Sequence, residues 1–215
     1  MIRKFVLSII IFTVIVFGTP FMTKAEGTKP SSAPCITSSF IKLKNDSQKL
    51  WIEHAWWTRS YIISSIAELE DKGDILTRLL QNQVDIGNLI KPYYGEEAGN
   101  KLTALLKEHI LKAGEIIEAA KKGDKATVDK LNKEWHQNAD KIVAFLVKAN
   151  PNWSKKELTD MFYRHLKLTT DEVEARLKKE WINDIHFADQ NQDHLIKLAD
   201  ILTDGIAKQF PEKFK

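Results

Sequence analysis

The chain has 215 residues, of which 43% are hydrophobic and 28% charged, with nine Gly, six Pro, one cysteine and a formal charge of +3. The lone Cys35 excludes an internal disulfide. A stretch at residues 1–25 that reads as removable takes three of the 32 basic residues, Arg3, Lys4 and Lys24, and no acid, so 29 basic residues then face 29 acidic ones. A neutral chain lacks the concentrated positive surface that a nucleic-acid or anionic-membrane partner requires.

Arg3 and Lys4 precede an apolar run over residues 5–17, and Thr23-Lys24-Ala25 fits a small-x-small cleavage site. This is the pattern of a secretory signal peptide, which predicts a secreted or extracytoplasmic protein cleaved after Ala25. The run is short of the roughly 20 apolar residues of a membrane span, so no span is expected in the mature chain. An uncleaved N-terminal anchor is the alternative. Residues 26–44, rich in Ser, Thr and Pro, read as a flexible linker. Residues 45–215 read as one helical-bundle domain.

The pattern turns helical after Asn45. The first helix is predicted over 46–70, ending at Lys72-Gly73, and the second from Asp74 as N-cap to Pro92. A third begins near Glu96 and stops at Gly123, placed as a C′ glycine; Asp124 caps a fourth that ends at Asn150-Pro151. Ser154-x-x-Glu157 and Thr169-x-x-Glu172 have capping-box spacing and open a fifth and a sixth. The seventh runs from about Asp193 to Gln209. With short connections throughout, about seven helices pack as an all-α, antiparallel bundle.

At 100° per residue, apolar stripes can be assigned to the helices. The first carries Ile52, Ala55, Trp56, Ile62, Ile63 and Ile66, with Arg59 amid them. The second carries Leu76, Leu79, Leu80, Ile86 and Ile90 around Gln83. The third carries Leu102, Leu105, Leu106, Ala113, Ile116 and Ala120 around His109. The fourth carries Leu131, Trp135, Ile142, Phe145 and Leu146, with Asn138 beside the centre. Each polar residue falls near mid-helix, which predicts a buried polar layer. Arg59 then requires an anionic partner: Asp184, Glu53 or a bound anion. Arg59, Gln83, His109, Asn138 and Asp184 are therefore the candidate ligand-binding set.

Metal binding has a looser signature. The Glu-x-x-His pairs of di-iron bundles and the His-Glu-x-x-His of zinc proteases are absent. Glu53 and His54 are expected on the side of the first helix opposite its stripe, beside Trp57 and Tyr61; His136 and Asp140 share a face of the fourth; His165 lies on the Leu158/Met161/Phe162 stripe of the fifth. Glu53, His54, His109, His136 and Asp140 form the candidate metal set, suited to a divalent ion such as zinc or copper. No Ser-His-Asp elbow, Walker loop or dinucleotide fingerprint appears.

Leu50-Trp-Ile-Glu-His-Ala-Trp-Trp-Thr-Arg59, Leu80-Gln-Asn-Gln-Val-Asp-Ile-Gly87, Pro92-Tyr-Tyr-Gly95, Ala149-Asn-Pro-Asn-Trp153, Leu202-Thr-Asp-Gly205 and Gln209-Phe-Pro211 carry a resemblance. The chain resembles a family of exported helical proteins of Gram-positive spore formers. Members bear names such as glycosyltransferase or acetylglutamate kinase, activities of sheet folds with Gly-rich nucleotide loops, for which this chain has neither strands nor loops. The resemblance implies export and a bundle, with no activity attached. The expectation is an extracytoplasmic binding protein holding a small ligand or metal ion at the polar layer. The alternatives are a structural or partner-binding cell-surface module, and a hydrolase or transferase with an unrecognised site.

Overall fold

The computed structural model describes residues 37–215, so the signal-peptide pattern, its cleavage site and Cys35 lie outside the described residues. Five α-helices and a short 3-10 turn make up the rest, with no strand among the described residues. They are α1 (Ser38–Ala67), α2 (Lys72–Lys121), α3 (Lys125–Ala149), α4 (Lys155–Leu177) and α5 (Trp181–Gln209).

The caps explain several of these bounds. Thr37 opens α1 by accepting from the Phe40 amide, Asp124 opens α3 through the Thr127 amide, and Ser154 opens α4 through the Glu157 amide. Gly123, at φ 69, closes α2 as expected. Inside α2 the chain reverses at Gly95 (φ 85, ψ 170), three residues after Pro92, so its two arms lie antiparallel against each other. The arms touch where both are glycine. A Cβ on Gly87 would strike the Thr103 hydroxyl and sit 2.6 Å from the Gly99 carbonyl oxygen.

Cross-helix bonds give every remaining direction. Lys112–Glu134 and Trp135 to the His109 carbonyl run α3 antiparallel to the second arm of α2. The short link at 150–154 turns α4 back along α3, where Tyr163 meets Asp140; His165–Asn191 with Met161–His194 runs α5 antiparallel to α4, and Gln48–Asp200 with Arg59–Asp184 runs it antiparallel to α1. The fold is thus an antiparallel bundle in which α5 returns to close on α1.

Five helices stand where seven are expected, and the differences have local causes. Thr169 does not open a helix: it lies inside α4, its hydroxyl donating 2.9 Å to the His165 carbonyl one turn back. The break falls instead at 178–180, where Lys179 takes a left-handed conformation (φ 61), and α5 then runs unbroken to Gln209. Glu68 (φ 55) likewise ends α1, while Gly73 and Asp74 lie inside α2. At the other end, residues 38–44 are helical rather than linker.

The apolar core divides into two clusters. The larger includes Trp51, Ile86, Leu106, Trp135, Ile142, Leu166 and Leu195; the smaller gathers Tyr61, Ile62, Leu79, Ile110, Ile117 and Val173. Between them along the helices fall His54 on α1, Gln83 and His109 on the two arms of α2, and Thr169 on α4, all buried. A polar layer separates two apolar ones.

Candidate functional site

The layer is built from histidines and carboxamides on different helices. His54 of α1, His109 of α2 and His165 of α4 are each buried, and their rings cluster: His54 and His165 centroids are 5.5 Å apart, His109 and His165 6.1 Å. Indoles flank two of them, Trp51 at 5.6 Å from His54 and Trp135 at 5.0 Å from His109.

Each ring rests its Nδ1 on a carboxamide. Asn138 donates its Nδ2 to the Leu105 carbonyl at 3.2 Å, which turns its oxygen to His109 Nδ1 at 2.9 Å. His109 therefore carries its hydrogen on Nδ1 and a lone pair on Nε2. The same logic holds for His165. Asn191 Nδ2 donates to Thr169 Oγ1 at 3.0 Å, so its oxygen accepts from His165 Nδ1 at 2.8 Å. His54 Nδ1 lies 3.2 Å from Gln83 Nε2. Gln83 donates to the Leu79 carbonyl (2.8 Å) and to Asn82 Oδ1 (3.0 Å), and Asn82 donates to the Leu50 carbonyl. Reversing the Gln83 amide would set its oxygen against two oxygens.

Burial dominates the chemistry of these rings. Desolvation, with repulsion from the neighbouring imidazoles, holds His109 down to about 3; desolvation takes His165 down to about 4; and His54 is held well below the usual imidazole range for the same reasons as His109. The three are neutral imidazoles at ordinary pH. Two atoms of the layer have no hydrogen-bond partner, His109 Nε2 and Gln83 Oε1, and both are acceptors. Each such buried, unsatisfied group costs about 1–3 kcal/mol.

Beside the layer lies an ionic cluster. Arg59 Nη1 donates to Glu172 Oε1 at 2.8 Å and to Asp184 Oδ1 at 2.9 Å, and Arg176 donates to Asp184 Oδ2 at 2.8 Å. Glu172 and Asp184 are almost wholly buried, whereas the Arg59 side chain keeps 24% of its surface exposed. Desolvation pushes the Glu172 carboxyl up to about 7 despite Arg59, with the negative charge of Asp184 adding to the push. Asp184 is thus a partner of Arg59, as one of the sequence alternatives has it, and Glu172 is a second one that the sequence reading missed.

The candidate residues divide accordingly. Gln83, His109 and Asn138 stand together in the layer; Arg59 and Asp184 form its ionic neighbour. His54 faces the core, against the expectation that it lies opposite the stripe. The buried face of α1 runs through Trp51, His54, Thr58, Tyr61 and Ile62, while Trp56 is 61% exposed. Glu53 is on the outer side, engaged by Arg78 at 3.1 Å and Lys49 at 3.5 Å. His136 and Asp140 are apart from the layer: both meet Tyr163, His136 by an edge-on ring contact at 4.9 Å and Asp140 by accepting from the phenol. The expected five-residue metal set is therefore not brought together. Among the described residues no three His, Cys, Asp or Glu side chains stand close enough to hold a metal ion as placed.

His165, Asn191, Thr169 and Asn82 are layer members absent from the candidate sets. A signal existed for two of them: His165 sits on an apolar stripe, and Asn191 is seven residues before Leu198 and four before Leu195, on the stripe of a longer α5. Comparison with protein-family models, curated proteins and solved structures gives no match for this chain.

Proposed function

We propose that the protein is an extracytoplasmic metal-binding bundle that takes one divalent transition-metal ion at His54, His109 and His165. The observation that carries this reading is the pair of unpartnered acceptors, His109 Nε2 and Gln83 Oε1, inside a cluster of three neutral imidazoles. Neutral imidazole nitrogens suit zinc, copper and nickel. A ligating histidine commonly fixes its other ring N–H on an outer oxygen acceptor, the role Asn138 and Asn191 fill here. Metal–nitrogen bonds near 2.0–2.1 Å require the rings to turn inward. The broad torsion about the histidine ring bond allows that turn, with Asn138 and Asn191 following the rings of His109 and His165; His54, whose Nδ1 faces the Gln83 amide nitrogen, would release that contact to ligate.

A second reading rests on the same bonds. Asn82 and Asn138 each tie a side chain to the backbone of a neighbouring helix, which fixes helix register with no ligand at all. Elemental analysis with native mass spectrometry of the purified protein separates the two. The metal reading expects one zinc or copper equivalent per chain, absent from His109→Ala. A metal-free protein that also fails to take up added Zn²⁺ or Cu²⁺ leaves the register reading.

A further inference from the structure

The apolar faces of α2, α3 and α4 do not close on one another along their whole length. Beyond the polar layer, toward the end of the bundle where α2 stops and α3 starts, they leave a pocket of about 90 Å³. Its floor, next to the layer, is Trp135 and Thr169, and the exposed Glu174 stands at its rim.

The layer holds the helices at the spacing that leaves this gap. Trp135 of α3 donates its indole N–H to the His109 carbonyl of α2 at 3.0 Å, and Thr169 of α4 accepts from Asn191 of α5 at 3.0 Å. Beyond those two residues, each helix turns short side chains to the gap. Ala113 and Ala120 lie about two turns apart on one face of α2, with Val128 on α3 and Thr170 and Val173 on α4. None of them fills it, and one longer side chain would.

The chemistry of the walls selects the occupant. The Trp135 N–H is spent on His109, the Thr169 hydroxyl hydrogen on the His165 carbonyl at 2.9 Å, and the Thr170 hydroxyl hydrogen on the Leu166 carbonyl at 2.9 Å. Among the described residues, no side-chain donor is left facing the pocket. Its one charge, Glu174, is at the rim with Lys178 at 3.4 Å. A polar group that sheds its water to enter finds little in return, at a cost of about 1–3 kcal/mol. An apolar group gains contact with Ile116, Ile117 and Val173 and leaves water behind. At roughly 30 Å³ per liquid water, the space is that of about three waters, which suits a short alkyl group.

We propose that this pocket binds the alkyl end of a small uncharged molecule, whose polar end stays at the rim beside Thr170 and Glu174. The site stands apart from the metal reading, since no histidine lines it and its walls are complete without an ion.

Methyl-resolved NMR of the metal-free protein tests the proposal, with 1-pentanol as the alkyl probe and glycerol as the polar one. 1-Pentanol is expected to shift the methyl resonances of Ile116, Ile117, Val128 and Val173 in a saturable way. The methyls of Val143 and Leu195, fully packed in the core, stay in place, and glycerol moves none of these. Ala120→Leu fills the pocket from α2. It should weaken 1-pentanol tenfold or more and raise the urea midpoint, because the new side chain enters existing space. If Ala120→Leu fails to fold, Ala113→Leu is the second filling variant; if neither folds, the pattern of wild-type shifts decides. Pocket methyls unmoved by 1-pentanol, shifts that never saturate, equal shifts with glycerol, or wild-type affinity in a folded filling variant would each overturn the site.

Discussion

At His109 a ring nitrogen with a lone pair faces a core in which nothing donates to it. The residues around it explain why that nitrogen points where it does. Asn138 anchors to the Leu105 carbonyl and takes the Nδ1 hydrogen, leaving the ring one protonation state and one orientation. Asn138→Leu would strand the His109 ring N–H and remove the side-chain bond to the Leu105 carbonyl. It is expected to destabilise by about 1–3 kcal/mol in chemical denaturation and to weaken metal binding about 10–100-fold; a stabilised variant would mean the carboxamide serves neither purpose. Arg59→Met removes from Glu172 its guanidinium partner. Breaking a buried pair costs about 3–5 kcal/mol, and we expect the lower end because Arg59 is partly exposed. The loss should shrink between pH 7.5 and pH 5.5, since the abandoned carboxyl, already raised to about 7, takes up a proton. A loss independent of pH would contradict this. At this scale the sequence revealed the centre of the layer and missed its edges. Gln83, His109 and Asn138 each interrupt an apolar stripe, which periodicity detects. Thr169 passes as a cap, and Glu172 passes as first-turn decoration of a helix that does not start there.

Helix boundaries show the same division between what leaves a chemical trace and what does not. Gly123, Asp124 and Ser154 punctuate the chain with their own backbone or side-chain chemistry, and the helices stop and start at them. Glu68 and Lys179 end α1 and α4 in left-handed conformations with no glycine to announce it. Placing α1's end at Gly73 and a helix start at Thr169 follows from reading punctuation that packing overrides. The buried face of α1 escapes periodicity for a related reason. Its indoles and isoleucines run nearly all round, so periodicity does not separate the buried Trp51 from the exposed Trp56. Left-handed backbone costs a non-glycine residue about 1–2 kcal/mol, so Lys179→Gly is expected to stabilise, raising the denaturation midpoint by the equivalent of about 1 kcal/mol after the glycine's greater chain entropy is subtracted. No gain would mean the 178–180 link is not strained. In the opposite direction, Gly87→Ala forces the arms of α2 apart at their contact with Gly99 and Thr103. Overpacking of this kind costs about 1–3 kcal/mol, measurable in the same experiment.

Across the whole molecule, two apolar clusters are held apart by a layer that is neutral only because it is buried. The unfolded chain restores its histidines to about 6.5, whereas His109 sits at about 3 and His165 at about 4 in the fold. Between those limits the unfolded state binds more protons, so stability is fully present above pH 6.5 and falls as pH drops toward 4. Each histidine contributes a slope of up to about 1.4 kcal/mol per pH unit. Glu172 acts with the opposite sign: raised to about 7 from an ordinary glutamate value, it favours the fold below that pH and disfavours it as pH rises through 7. Urea midpoints of the metal-free protein should therefore decline steeply from pH 6.5 to 4.5, and His109→Phe should flatten the decline. A flat profile in the parent would show that the rings are not buried neutral.

The most direct test of the account is a titration of the metal-free protein with Co²⁺, read by visible absorption, or with Zn²⁺, read by calorimetry, in wild type and in His54→Ala, His109→Ala, His165→Ala and His136→Ala. A site built on His54, His109 and His165 predicts one equivalent bound by wild type and by His136→Ala, and binding lost or weakened by two or more orders of magnitude in each of the other three. Absence of binding in wild type, or binding abolished by His136→Ala and kept by His109→Ala, would contradict it.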